Sequence, residues 1–291
     1  MNVLSLFDGI SSGMVALERV GIKPQKYYAS EIDKNAIRIS QNNYPDIVHI
    51  GDITKLRAGD FPKLTLVMGG SPCQGFSITT AQSRGNFSDP RSQLLFNFVD
   101  LVESTAPDYF LLENVPMDKE CEQYISRRMG VDPILINSNL VSAQDRKRLY
   151  WTNIPNVTLP EDRGIVLLDV MEKNADEKYF YNLPFDFHGW DKKVIATVHV
   201  SGHDILKRVY NPTGKCATLT ACRGGNTQKK VFDKLRCRKL TPLEYERLQT
   251  IPDNYTAGVA DSHRYNTLGD GWTVDVISHI LKGISCDSGK E

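Results

Sequence analysis

Apolar and polar residues alternate in blocks along the first 155 residues. Val3-Leu4-Ser5-Leu6-Phe7 is an apolar run stopped by Asp8-Gly9, and Met14 to Val20 then repeats apolar residues at helical spacing as far as Gly21. Tyr27-Tyr28-Ala29-Ser30 predicts a second strand, Ala36 to Tyr44 a helix closed before Pro45, and Ile47-Val48-His49-Ile50 a third strand. Leu64-Thr65-Leu66-Val67-Met68 reads as a buried fourth strand, Gln93 to Ser104 as an amphipathic helix, and Tyr109-Phe110-Leu111-Leu112 as a fifth strand ending at Glu113-Asn114. Pro133 to Ile136 and Leu149 to Trp151 continue the succession. Strand and helix in turn predict an α/β fold with a Rossmann-like, doubly wound, mostly parallel sheet.

From about Leu159 the pattern changes. Residues 173–237 are richer in Gly, Thr, Lys, Asn and aromatics, and helical periodicity fades, which predicts a smaller, loop-rich second domain. Periodicity returns at Thr241, where Thr241, Pro242 and Glu244 have the N-cap, N1 and capping-box positions of a new helix. A last amphipathic helix is expected from Thr273 to Leu281, ending at Gly283. The expected division is 1–160 for a catalytic and cofactor-binding domain, 161–237 for a recognition domain, 238–284 for a segment returning to the first, and 285–291 for a tail.

Composition narrows the function classes. No apolar run approaches the roughly 20 residues of a membrane span, and the N-terminus lacks the basic start of a signal peptide. Six scattered cysteines without a C-x-x-C pair argue against a zinc site and a disulfide framework. The expectation is a cytoplasmic monomer with no metal. Formal net charge is zero, yet Ser201 to Lys239 holds ten basic residues against two acidic ones, a net +8 that leaves −8 for the rest. Such polarity presents a basic face to phosphates unless it is chance clustering on a solvated surface.

The candidate chemistry gathers at predicted strand ends. Gly69-Gly70-Ser71-Pro72-Cys73-Gln74-Gly75 follows the fourth strand, where open α/β sheets bind ligands, and makes Cys73 a candidate nucleophile. Glu113 ends the fifth strand at the same rim. Gln144-Asp145-Arg146-Lys147-Arg148 spaces two arginines at period two, so an extended backbone is expected to point both alike, toward the thiol and the carboxyl group. This set suits cytosine, whose carbon 5 becomes nucleophilic once a thiolate adds at carbon 6. Phe7-Asp8-Gly9-Ile10-Ser11-Ser12-Gly13 joins the first strand to the first helix without G-x-G-x-x-G spacing. Glu31-Ile32 and Asp52-Ile53 end the next two strands. An ordered acid at each end predicts an adenosine-containing cofactor without pyrophosphate, which S-adenosylmethionine fits better than NAD.

At these residues the chain resembles the DNA (cytosine-5) methyltransferases, compact bacterial or phage type, over nearly its whole length and in the family's motif order. The resemblance implies Cys73 as nucleophile, Glu113 on the base, and Gln144, Arg146 and Arg148 as the arginine motif that holds the base and the active-site loop. It implies a cofactor pocket of Phe7 to Gly13, Glu31, Ile32, Asp52, Ile53 and Pro72, completed by Asp270, Gly271 and Trp272 of the last motif. Arg238 to Asp253 matches the motif that supports the recognition domain. Asp270 stands where the family often has Asn. It either adds a negative charge near the cofactor's carboxylate or turns to solvent or a backbone amide. Lys215, Thr218, Leu219, Thr220 and Arg223 fall in the family's Thr-Leu recognition segment. Gln82, Ser83 and Arg84 either fill the stack vacated by a flipped base or are solvated loop. The implied partner is double-stranded DNA, with a cognate restriction endonuclease left open. RNA as substrate, and a non-catalytic DNA-binding module of the same fold, are the competing readings.

Overall fold

The computed structural model describes residues 1–72, 90–222 and 225–287, with side chains left out at 90–92 and 285–287. The elements of its first part are β1 (Asn2–Leu6), α1 (Ser12–Arg19), β2 (Lys26–Ser30), α2 (Lys34–Asn43), β3 (Val48–His49), β4 (Leu66–Gly70), α3 (Pro90–Thr105), β5 (Tyr109–Asn114), α4 (Lys119–Met129) and β6 (Ile134–Asn137). After β7 (Gln144–Asp145) comes β8 (Lys147–Thr152). One seven-stranded sheet has the order β3-β2-β1-β4-β5-β8-β6. The pairs β3–β2, β2–β1, β1–β4 and β4–β5 are parallel, and β8 runs antiparallel to β5. This is the expected α/β class with a mostly parallel sheet. Between β1 and β4 the winding reverses, so the loops leaving their carboxyl ends part and open a crevice.

Leu4, Leu6, Val67, Phe98, Leu112 and Trp151 are in the buried core cluster between sheet and helices. Helix α2 is capped by Asp33, whose side chain accepts from the N–H groups of Asn35 and Ala36. Helix α4 had no counterpart in the hydrophobic pattern. Its signals are at its ends: Asp118 caps Cys121 N–H at 3.0 Å, Arg127 and Arg128 occupy the last turn, and Gly130 follows at φ 70°. Only Cys121, Ile125 and Met129 are buried, too narrow a stripe to stand out among charged neighbours.

The chain forms two compact units. The first comprises Met1–Ile136, Lys147–Leu159 and Ile277–Glu291, and the second Asn137–Arg146 and Pro160–Val276. Packing therefore groups residues 238–276 with the second unit, a different division from the one by role. In place of the expected loops, the second unit contains α5 (Leu167–Val170), β9 (Phe185–Phe187), β10 (Val194–Val198), α6 (Asp204–Lys207), β11 (Arg208–Tyr210), β12 (Cys216–Ala217), β13 (Lys230–Asp233) and β14 (Arg236–Lys239). Five of the strands form one sheet in the order β14-β13-β11-β10-β9, while β12 pairs with β7. Strands of two to five residues carry too little alternation to announce themselves. Helices α7 (Pro242–Leu248) and α8 (Asp261–Asp270) follow, and α7 has the expected capping box of Thr241 and Glu244.

Helix α9 (Val274–Asp287) does not stop at Gly283. Glycine there serves close approach and is not a terminator. A Cβ would lie 2.3 Å from Pro155 O and 2.6 Å from Ile154 Cγ2. Gly283→Ala is expected to destabilise the protein by about 1–3 kcal/mol through overpacking, although alanine is the better helix former. A lower denaturant midpoint at unchanged m-value checks this.

Candidate active site

The register of β4 against β5 sets Gly70 opposite Glu113. One residue on, Asn114 Nδ2 donates to Ser71 Oγ at 2.9 Å, with both residues buried, and Asn114 Oδ1 accepts from Val115 N–H at 2.8 Å. Two strand exits are thus stitched together. The chain is carried to Pro72, which is half-buried. Cys73, next in sequence, lies outside the described residues, as do Gln82, Ser83, Arg84 and Arg223. Glu113 is buried, and Arg148 Nε stands 2.6 Å from its Oε1, with both side chains at most 13% exposed. Arg148 arrives there on β8, whose antiparallel register sets Tyr150 opposite Glu113.

The alternation of Arg146 and Arg148 does not give the two arginines the same partners. Arg146 belongs to the second unit and is buried. Its guanidinium donates to the carbonyls of Leu219 at 3.0 Å, Gly269 at 3.4 Å and Gly271 at 2.9 Å. Gln144 is fully buried as well. Its Nε2 donates to Leu248 O and Gln249 Oε1, and its Oε1 accepts from Leu219 N–H. Gln249 donates onward to Leu268 O at 2.6 Å and Gly271 O at 3.0 Å and accepts from Thr273 Oγ1. A Cβ on Gly269 would lie 2.2 Å from the Thr220 carbonyl carbon, so only glycine permits this approach. Gln144 and Arg146 therefore position backbone in the second unit. Gln249, the C-cap of α7, is a member of this knot that pattern reading missed.

The second-unit residues expected at DNA are largely committed inward. Lys215 Nζ donates to Asn139 O and to Ser142 O, Thr218 Oγ1 donates to Asp145 O at 2.6 Å, and Leu219 is buried; Thr220 is exposed. The +8 segment does not form one outward basic face. Arg238 is fully buried and bidentate to Glu244 at 2.7 and 2.8 Å, with Asp233 on its Nε. Lys230 is buried too, and Arg236 pairs with Glu177. Asp270 is exposed at the last residue of α8, and Trp272 is buried.

The chain matches the C-5 cytosine-specific DNA methylase family over residues 1–125 and 171–286. It belongs to that family. It is 32% identical over 426 residues to the orphan methyltransferase M.SPRI of Bacillus phage SPR, covering 97% of each chain. Among solved structures, Entamoeba histolytica methyltransferase EhMeth has a TM-score of 0.77 at 16% identity, covering 100% of this chain and 99% of that one. S. pombe Dnmt2 methyltransferase has a TM-score of 0.69 at 20% identity, with full coverage of both. These two likenesses are of fold.

In this methylase the loop after β1 is held in an uncommon shape. Phe7, Gly9 and Ser11 have φ of 56°, 60° and 60°, a region side chains other than glycine rarely adopt. Hydrogen bonds hold it there. Asp8 N–H reaches Ser30 O at 3.0 Å, and Gly9 N–H reaches Glu31 Oε2 at 2.8 Å. Glu31 Oε1 accepts from the N–H groups of Ile32 and Asp33, while Ile32 itself is 73% exposed. Ile10 and Ser12 are buried, Gly13 sits in α1, and Ile53 is buried beside Asp52, whose Oδ1 accepts from Thr54 N–H at 2.9 Å.

Asp8 lies beneath this loop. Tyr27 Oη donates to its Oδ1 at 2.7 Å and Ser11 Oγ to its Oδ2 at 2.5 Å; Ser11 Oγ also meets Ser40 Oγ at 2.6 Å. Burial pushes the Asp8 carboxyl up to about 6. Hydrogen bonds from Ser11, Ser5 and Tyr27 pull it down, and the charge of Glu31 adds to the rise. A carboxyl raised on folding binds its proton more tightly in the native state. Its ionisation thus costs stability above about pH 6, and the cost vanishes as pH falls toward 4. Relative to Asp8→Asn, the parent is expected to gain up to about 3 kcal/mol between pH 7 and pH 4. Urea midpoints across that range check it, and parallel profiles would refute it.

Proposed function

We propose that this protein methylates carbon 5 of cytosine in double-stranded DNA, with S-adenosylmethionine as donor and Cys73 as nucleophile. The observation that carries the reading is the Gly70–Glu113 register, with Arg148 on the Glu113 carboxylate. It brings the chain leading to Cys73 alongside a buried carboxyl group at the carboxyl end of the sheet. The description of the family as a DNA methylase favours DNA over RNA. In this reading residues 1–160 serve catalysis and cofactor binding and residues 161–237 target recognition.

The first unit's residues fit the donor. Glu31 uses three acceptor sites on backbone N–H groups, leaving about one of its roughly four for a ribose hydroxyl. Exposed Ile32 offers an apolar face to adenine, and Asp52 an acceptor for its amino group. A Cβ on Gly9 would meet nothing within 4 Å, so the loop has open space beside it. When bound, S-adenosylmethionine supplies a methyl group on a sulfonium.

The target base leaves the duplex to reach these groups. The Cys73 thiolate forms a bond to carbon 6 while Glu113 holds a proton at N3, and carbon 5 becomes nucleophilic. After carbon 5 is methylated, its proton leaves and the Cys73 bond breaks, which returns the thiolate. Arg148 keeps the Glu113 carboxyl oriented and offsets its negative charge.

Transfer of label from tritiated donor to unmethylated duplex DNA, with RNA as a parallel substrate, tests this. Label is expected in DNA as 5-methylcytosine, with none from Cys73→Ala and a rate loss of about 10²–10⁴ from Glu113→Gln. Label in RNA alone, or full activity of Cys73→Ala, would refute the reading.

A further inference from the structure

One corner of the second unit's large sheet places two lysines where strand pairing disfavours them. Lys230 on β13 and Lys239 on β14 are directly opposite in an antiparallel register, so their side chains leave the same face. Like charges in that relation destabilise a sheet. Both ammonium groups gather over one ring, with Lys230 Nζ 5.8 Å and Lys239 Nζ 5.6 Å from the Tyr181 centroid. Lys230 Nζ donates to Asn226 O at 2.7 Å and Gln228 O at 2.9 Å, neutral groups that leave its charge uncompensated. Among the described residues no carboxylate pairs with Lys230 or Lys239, whereas Arg236 and Arg238 of the same hairpin have Glu177, Glu244 and Asp233. Burial, together with the charges of Lys239 and Lys229, lowers Lys230 to about 8 against an opposing effect of Cys222.

A second observation is independent of charge. Tyr181 Oη and Gln228 Oε1 are buried without a hydrogen-bond partner. Such atoms are rare, because each forfeits its hydration without recompense. Tyr181 Oη is a donor, and turning the Gln228 amide over presents N–H groups in place of the oxygen. The corner thus combines two ammonium groups, a hydroxyl donor and an amide, with no anion among them. Lys239, Tyr181 and residues 226–228 are each partly exposed, while Lys230 and the Tyr181 hydroxyl are buried.

We propose that the Lys230–Lys239–Tyr181 corner is a binding site for a phosphate group. A phosphate there accepts from Lys239, from the remaining N–H of Lys230 and from the Tyr181 hydroxyl, and its charge relieves the repulsion between the lysines. The backbone of the nucleic-acid substrate is the source we assign, which rests on the function proposed above. The site itself does not rest on it.

The test uses the full chain and the variants Lys239→Gln and Tyr181→Phe, each first compared with the parent for thermal unfolding in chloride. Inorganic phosphate replaces chloride at equal ionic strength, and the shift in unfolding temperature is read. In parallel, binding to a short unmethylated duplex is followed across salt. The parent is expected to be stabilised by phosphate and both variants much less. Lys239→Gln should also reduce the salt slope of duplex binding by about one. Loss of the phosphate shift with unchanged duplex binding keeps the site and assigns it to free phosphate. A parent that binds no duplex yet keeps the phosphate shift sinks the DNA reading and not the site. Equal phosphate shifts in parent and both variants, with equal salt slopes, overturn the proposal.

Discussion

Parallel pairing of β1, β4 and β5 is the constraint on which the rest of the first unit depends. The pairing sets Leu6 opposite Gly69 and Gly70 opposite Glu113, so the exits of three strands share one rim. Reversal of winding between β1 and β4 then separates the loop beginning at Phe7 from the loop leading to Cys73. The placement of the Phe7–Ser11 loop and of the Glu113 carboxyl group follows from that geometry. The Ser71–Asn114 hydrogen bond and the Arg148–Glu113 ion pair tighten it, and neither creates it.

Buried polar groups organise the second unit differently. Arg146, Gln144 and Gln249 satisfy backbone carbonyls that loops would otherwise leave unpaired, and Arg238 meets two carboxylates. These are interactions in which removing one partner costs more than the pair contributes, since the remaining group stays buried. The formal +8 of residues 201–239 therefore overstates the charge presented to a ligand. Lys230 and Arg238 are internal and Arg236 is paired with Glu177, and the lysine pair at Tyr181 differs from the arginines beside it in having no carboxylate.

Legibility followed the length and burial of each element. Strands β1, β4 and β5 are buried on both faces and read as continuous apolar runs, so their order and the residues at their ends could be placed from sequence. The capping box at Thr241 was legible because it is local, involving residues three apart. Helix α4 escaped because its buried stripe is three residues wide, and the second sheet because its strands are short. Gly283 was misjudged because a glycine required by a neighbouring carbonyl looks, in sequence, like one that ends a helix.

By itself the sequence determined the α/β class, the family and the identity of the groups at the sheet's rim, because strand periodicity and motif order are properties of the chain alone. Only the tertiary structure decided which partner each charged group takes. Arg146 and Arg148 have the same spacing rule and the same chemistry, yet one holds three carbonyls and the other a carboxylate. Lys239 and Arg238 are adjacent, yet one stands over a phenol ring and the other between two acids. Partner choice depends on register and burial between residues far apart in the chain, and no local pattern encodes those distances.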